Sequence, residues 1–200
     1  AVYALDTGET MTTHFLVEIR ESWRQRRVCR TTQVADGFVA SVGGFVMNVD
    51  LSGGVRWVRK QVVLPASEEP TWVAQRLDRP LVEAGRVFAA SPGVRSVECM
   101  DTDTGRLIWR SILPYVHRLV GLADGKLIVH AGDEFLALND ATGQVQWRRQ
   151  ILAPFDAELC GGEHGILVSR AIASPANPGQ RCPELVWLSA DDGRITATAA

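Results

Sequence analysis

The stretch Ala137-Leu138-Asn139-Asp140-Ala141-Thr142-Gly143-Gln144-Val145-Gln146-Trp147 decides how this chain folds. Asx and threonine side chains bond their own backbone in turns, and glycine takes positive φ without steric cost. The segment therefore reads as strand, tight turn, strand, with a tryptophan four residues past the glycine. Near-complete wording recurs at Cys99-Met100-Asp101-Thr102-Asp103-Thr104-Gly105-Arg106-Leu107-Ile108-Trp109. A looser copy is Asp50-Leu51-Ser52-Gly53-Gly54-Val55-Arg56-Trp57, and two decayed copies, Leu5-Asp6-Thr7-Gly8 and Leu188-Ser189-Ala190-Asp191-Asp192-Gly193, bracket these. The marks Gly8, Gly53, Gly105, Gly143 and Gly193 stand 45, 52, 38 and 50 residues apart. Such a period belongs to solenoids, propellers or arrays.

Outward from the turns, apolar residues alternate or run in short stretches bounded by glycine. Asp36 to Asp50 reads as two strands with a tight turn at Gly43-Gly44, and Asp124 to Leu138 as another such pair. These are hairpin signals. Helical periodicity is nowhere sustained; the best candidate, His14 to Arg27, has no clean apolar face. One interval resolves into four strands: Val116 to Leu122, Gly125 to His130, Glu134 to Leu138 and Gln144 to Ile151. The tryptophan falls on the fourth, outer strand, where a large flat ring packs against the next repeat. Four antiparallel strands repeated radially make an all-β fold, the β-propeller.

The phrase A-x-D-x-x-T-G-x-x-x-W resembles the tryptophan-docking motif of the pyrroloquinoline-quinone-like propeller repeat, found in quinoprotein alcohol dehydrogenases and in the outer-membrane assembly lipoprotein of the same fold. Ala84 to Ser91 leading into Glu98-Cys99-Met100-Asp101 is similar to blades of bacterial proteins of that kind. The resemblance covers nearly all of residues 1–200, taken as one partial propeller domain. It implies about half of an eight-bladed ring, an open arc of about four blades, and a periplasmic or cell-envelope location. The motif residues Asp50, Gly53, Trp57, Asp101, Thr104, Gly105, Trp109, Asn139, Thr142, Gly143, Trp147, Asp191 and Gly193 are assigned a structural role. No catalytic, cofactor or metal ligand is assigned. A quinone-dependent member is expected to carry an adjacent Cys-Cys pair and calcium ligands, whereas Cys29, Cys99, Cys160 and Cys182 all stand apart.

A net charge of −2 with 46% hydrophobic residues suits a packed module and gives no pull toward nucleic acid. No run approaches the roughly 18 apolar residues of a spanning helix. The chain opens at Ala1 inside a repeat, so we expect a piece of a longer protein whose remaining blades complete the ring.

Other constellations have plainer explanations. Asp6-Thr7-Gly8 and Asp103-Thr104-Gly105 spell the aspartic-protease triplet, yet the same turn recurs with a tryptophan at fixed spacing. Cys160-Gly161-Gly162-Glu163-His164 with Cys182 offers zinc-type ligands, but in no standard spacing. A Cys160–Cys182 disulfide is disfavoured, because the strand assignment sets the two at opposite rims, beyond the roughly 7 Å reach of bridged Cα atoms. Cys99 is expected to be a buried free thiol. Arg24, Arg26, Arg27 and Arg30 beside Trp23 form a basic cluster, balanced by Glu18 and Glu21 and read as a solvated edge. His117 is expected on an inner strand facing the channel, as a satisfied polar residue rather than a catalyst. Leu64 to Trp72 and Ala173 to Pro183 are expected as rim loops, where propellers meet partners. Together these give a non-catalytic scaffold binding a protein or a glycan through its rim. The rival is part of a quinone- and calcium-dependent dehydrogenase whose site lies outside this chain.

Overall fold

The computed structural model describes residues 2–3, 10–12, 30–42, 45–61, 79–90, 95–113, 116–152, 154–160, 165–174 and 179–199. Among them every regular element is a strand. β1 (Val2–Tyr3) pairs antiparallel with β2 (Thr10–Thr12). Four sheets of four strands follow, each in plain sequence order. The first holds β3 (Arg30–Val34), β4 (Gly37–Val42), β5 (Phe45–Asp50) and β6 (Val55–Lys60), and the second β7 (Leu81–Glu83), β8 (Arg86–Ala90), β9 (Ser96–Asp101) and β10 (Leu107–Ile112). The third holds β11 (Val116–Ala123), β12 (Lys126–Ala131), β13 (Glu134–Asn139) and β14 (Val145–Gln150), and the fourth β15 (Pro154–Cys160), β16 (Gly165–Ala173), β17 (Arg181–Ser189) and β18 (Ile195–Ala199). These are the blades of a β-propeller, as the repeat predicts.

The middle strands explain the continuous apolar runs. In β12 and β13 nearly every side chain is buried, on both faces. Outer strands β6 and β14 alternate exposed and partly buried positions instead. Two compact units divide the chain: residues 1–94 with 98–108, and residues 95–97 with 109–200. In the first, Val39 and Val46 of the first blade pack with Val87, Ala89 and Met100 of the second. In the other, Ile128, Phe135 and Ala137 of the third blade pack with Ile166, Val168, Val186 and Leu188 of the fourth. Apolar burial of this kind, at about 25 cal/mol per Å², supplies most of the favourable energy.

The turn joining third and fourth strands is the same object in three blades. Asp101, Asn139 and Ser189 each donate their N–H to the carbonyl five residues on, at 2.8–2.9 Å, and accept from the glycine N–H four residues on. In the first blade Asp50 bonds Gly54 at 2.9 Å and accepts from Gly53 at 3.0 Å. That loop is one residue shorter, which is why its wording is looser. Gly53, Gly105, Gly143 and Gly193 all hold positive φ, between 67° and 87°.

Two expectations need adjustment. The segment Ala173 to Pro183 is not wholly a loop: β16 runs to Ala173 and β17 starts at Arg181, with the Ser174 N–H donating to the Gln180 carbonyl. Cross-strand pairing carries the ladder into the expected loop, since Ala173↔Arg181, Ile172↔Cys182 and Ala171↔Pro183 remain in register. Cys182 therefore lies within the third strand rather than before it. It still sits far from Cys160, which pairs with Gly165 while Cys182 pairs with Ile172 at the far end of the same strand; seven residues of strand span roughly 23 Å. Neither forms a disulfide, and Cys99 is a fully buried thiol that also forms none. Residues 14–27, with Arg24, Arg26 and Arg27, and the stretch 64–72 lie outside the described residues, as do Gly8, Cys29 and His164.

Candidate functional site

The motif residues converge on one structural joint, repeated three times. Trp57 donates its Nε1–H to the Thr102 carbonyl at 2.8 Å, Trp109 to Asp140 at 2.8 Å and Trp147 to Ala190 at 2.9 Å. In each case the acceptor is the second residue of the following blade's turn. The ring lies flat on that turn's glycine: a Cβ on Gly105, Gly143 or Gly193 would stand 2.6, 2.5 or 2.7 Å from the indole of Trp57, Trp109 or Trp147. Trp109 is buried, and Trp57 and Trp147 partly so. Capping side chains hold the acceptor turn rigid. The Asp101 carboxylate accepts from the Thr104 N–H and hydroxyl at 2.8 and 2.6 Å, and Asn139 Oδ1 accepts from those of Thr142 at 2.9 and 3.0 Å. These bonds keep the Asp101 carboxyl below the usual carboxylate range; the Ser52 hydroxyl and Gly54 N–H do the same to Asp50. In the fourth blade the capping place is held by Ser189, whose hydroxyl accepts from the Asp191 N–H at 3.1 Å, while Asp191 itself meets Lys126 at 3.1 Å.

The opposite rim, where second and third strands join, carries the groups that the motif does not use. In the unit holding the third and fourth blades, fourth strands end here beside the start of their own third strands, since the Ile151 N–H donates to Asp133 and the Leu113 N–H to Arg95. Leu113 and Ile151 are buried, but their neighbours Ile112 and Leu152 are 71% and 65% exposed. Around Leu152 lie charged and amide partners: Arg148 with Glu134 at 3.2 Å and Gln150 with Asp133 at 2.8 Å. The nine-residue strands β16 and β17 extend past the six-residue β12 and β13 of the neighbouring blade, and Arg170 pairs with Glu184 across them. Leu185 on the outward face of this hairpin is 44% exposed.

At the same end of the third blade a histidine, His130, is set in a ring stack that spacing does not reveal. Its ring lies parallel to Phe135 at 4.7 Å and tilts against His117 at 4.9 Å. Nε2 donates to the Gly132 carbonyl at 3.0 Å, so the neutral ring carries its proton there. Burial, then the neighbouring His117, lower the His130 pKa to about 4. His117 thus stands on an inner strand as predicted, beside Arg118, which pairs with Asp156 of the adjoining inner strand β15. The juxtaposition arises from an irregular register between Val116 and Arg118 opposite Ala131 and His130. In the other unit Glu98 is fully buried and held by Arg59 at 3.3 Å, a structural ion pair that the sequence does not advertise. Among the described residues no three of His, Cys, Asp or Glu gather to hold a metal.

The family described as "Outer membrane protein assembly factor BamB" matches residues 2–195. No curated protein sequence matches the chain. Among solved structures it is similar to BamB from Moraxella catarrhalis, with 14% identity and a TM-score of 0.51 over 81% of this chain and 61% of that one. It is similar to the quinohemoprotein alcohol dehydrogenase ADHIIG from Pseudomonas putida HK5, with 13% identity and a TM-score of 0.57 over 86% of this chain and 35% of that one. The Neurospora crassa Pan2 WD40 domain scores 0.59 at 11% identity over 84% of this chain and 50% of that one. At such identities the likeness shows the propeller fold alone. The chain spans 61% or less of the length of each of these structures.

Proposed function

The chain belongs to the family described as outer membrane protein assembly factor BamB, and on that premise we propose that it is a non-catalytic propeller scaffold of the bacterial cell envelope that receives a protein partner on its hairpin rim. The observation that carries this reading is the exposure of Ile112 and Leu152 at the ends of their strands, on the rim from which the β16–β17 hairpin is prolonged. Apolar side chains ringed by charged pairs are the usual anatomy of a protein interface, and blade ends are where propellers place recognition. No helix among the described residues is long and apolar enough to cross a membrane.

The quinone reading has less to stand on. A quinone with calcium asks for adjacent cysteines and a group of oxygen ligands; the four cysteines are isolated in sequence, and the described residues supply no such cluster.

A cell-envelope cross-linking experiment tests the proposal. The Ile112→Glu/Leu152→Glu double variant should lose the partner cross-links formed by the unaltered protein while its melting temperature stays within a degree or so. An unchanged cross-linking pattern refutes the rim. Saturable quinone binding with calcium, accompanied by dye-linked alcohol oxidation, would replace the scaffold with the dehydrogenase alternative.

A further inference from the structure

At the hairpin rim the third blade turns toward the fourth a charge that neither blade answers. Arg118, His130, Phe135 and Arg149 stand opposite one another across β11 to β14, so their side chains share one face of the sheet. The ladder is regular there, from Ala137↔Trp147 to Glu134↔Gln150. Phe135 shows which face it is, because it packs in the core formed with Ile166, Val168, Val186 and Leu188 of the fourth blade. Arg149 is thus partly buried beside that blade. Among the described residues its guanidinium makes no hydrogen bond or ion pair. Carboxylates at this rim are already engaged: Asp133 by Gln150, Glu134 by Arg148, Asp156 by Arg118 and Glu184 by Arg170.

The first blade shows what such an arginine asks for. Arg59 stands two residues past Trp57, as Arg149 stands two past Trp147, and it is met at 3.3 Å by Glu98, three residues before the turn cap Asp101. Three residues before the fourth blade's cap, Ser189, stands Val186, fully buried and without charge. A guanidinium that loses water to burial and meets no carboxylate is left uncompensated. Three residues beyond Arg149, Leu152 is apolar and 65% exposed. Taking the rim as the partner's seat, as proposed above, we infer that Arg149 receives a side-chain carboxylate of that partner, whose docking segment sets an acidic residue beside an apolar one that covers Leu152. Guanidinium and carboxylate match fork to fork, and complementary charge gives such a contact its specificity.

Fluorescence anisotropy with labelled, amidated peptides of alternating leucine and glutamate, or leucine and lysine, reads the preference. The acidic peptide should bind saturably and the basic one should not. Binding should weaken several-fold as ionic strength rises from about 0.05 M to about 0.5 M, because a pair at the surface is screened. Arg149→Gln should weaken it about tenfold or more, and Arg149→Lys should keep part of it, as a point charge without the fork. Arg194→Gln removes the same charge from a turn at the opposite rim and should change nothing. Val186→Glu sets a carboxylate where the second blade has Glu98, and should answer Arg149 from within and abolish binding. Circular dichroism melting shows that each variant is folded; if Val186→Glu is not, Arg149→Gln decides alone. An acidic peptide that fails to bind, or binds no better than the basic one, overturns the inference, as does an affinity that Arg149→Gln leaves intact. The rim itself is tested apart, by the Ile112→Glu/Leu152→Glu cross-links. If those are lost while peptide affinity ignores Arg149, the rim stands and the carboxylate site falls.

Discussion

Gly143 meets two demands at once: it adopts a φ of 72° and leaves room for the Trp109 ring, which a Cβ would approach within 2.5 Å. Gly143→Ala is therefore expected to cost on the order of 2–4 kcal/mol in urea unfolding, the sum of left-handed strain and displaced packing. Gly132→Ala, with positive φ but open space around its Cβ, should cost about 1 kcal/mol, and equal losses would mean that the indole yields freely. His130 gives a pH prediction. Its pKa is about 4 in the fold, against 6.5 when unfolded, so the unfolded chain binds the proton first. Stability is intact above pH 6.5 and falls as pH drops toward 4, by up to about 3 kcal/mol. His130→Gln should flatten that decline, as followed by chemical denaturation at a series of pH values. The glycine role is legible from sequence because a turn is a local event within six residues. The His130 role is not, because it needs the register between strands to be known.

Strands were the easier elements to read. Glycine-bounded apolar runs mark β4, β5, β12 and β13 to within a residue or two, since both faces of those strands are buried and tolerate little else. The prolonged hairpin escaped that logic. Past Arg170 and Glu184 none of its side chains is fully buried, Ile172 included, and backbone pairing rather than burial keeps the ladder going. The fourth turn was blurred for a related reason, because Ser189 replaces the acidic or amide cap and leaves Asp191 looking like the motif residue. An element-scale test follows from the cap. Asn139→Ala removes bonds to the backbone of Ala141 and to the backbone and hydroxyl of Thr142, and should lower stability by about 1–2 kcal/mol. Ser189→Asp should hold or raise stability, and a loss there would show that the fourth turn does not share the geometry of the third.

At the scale of the whole chain, what could be read is the arithmetic of repeats, and what could not is the surface. Repeat spacing reports on packing that every blade must satisfy, while the exposure of Ile112 and Leu152 depends on which positions neighbours happen to leave uncovered. The chain's isoelectric point lies near 6.1, where net repulsion vanishes. Solubility is expected to pass through a minimum near that pH and to recover above pH 8, as measured by turbidity at fixed concentration. The tryptophan joint has a genetic consequence. The second and third blades each hold both the ring that reaches forward and the glycine turn that receives the ring behind. An in-frame duplication one repeat long, wherever its breakpoints fall between two such turns, therefore delivers a matched ring and seat together. Chains of this kind can lengthen by copying without inventing a new contact.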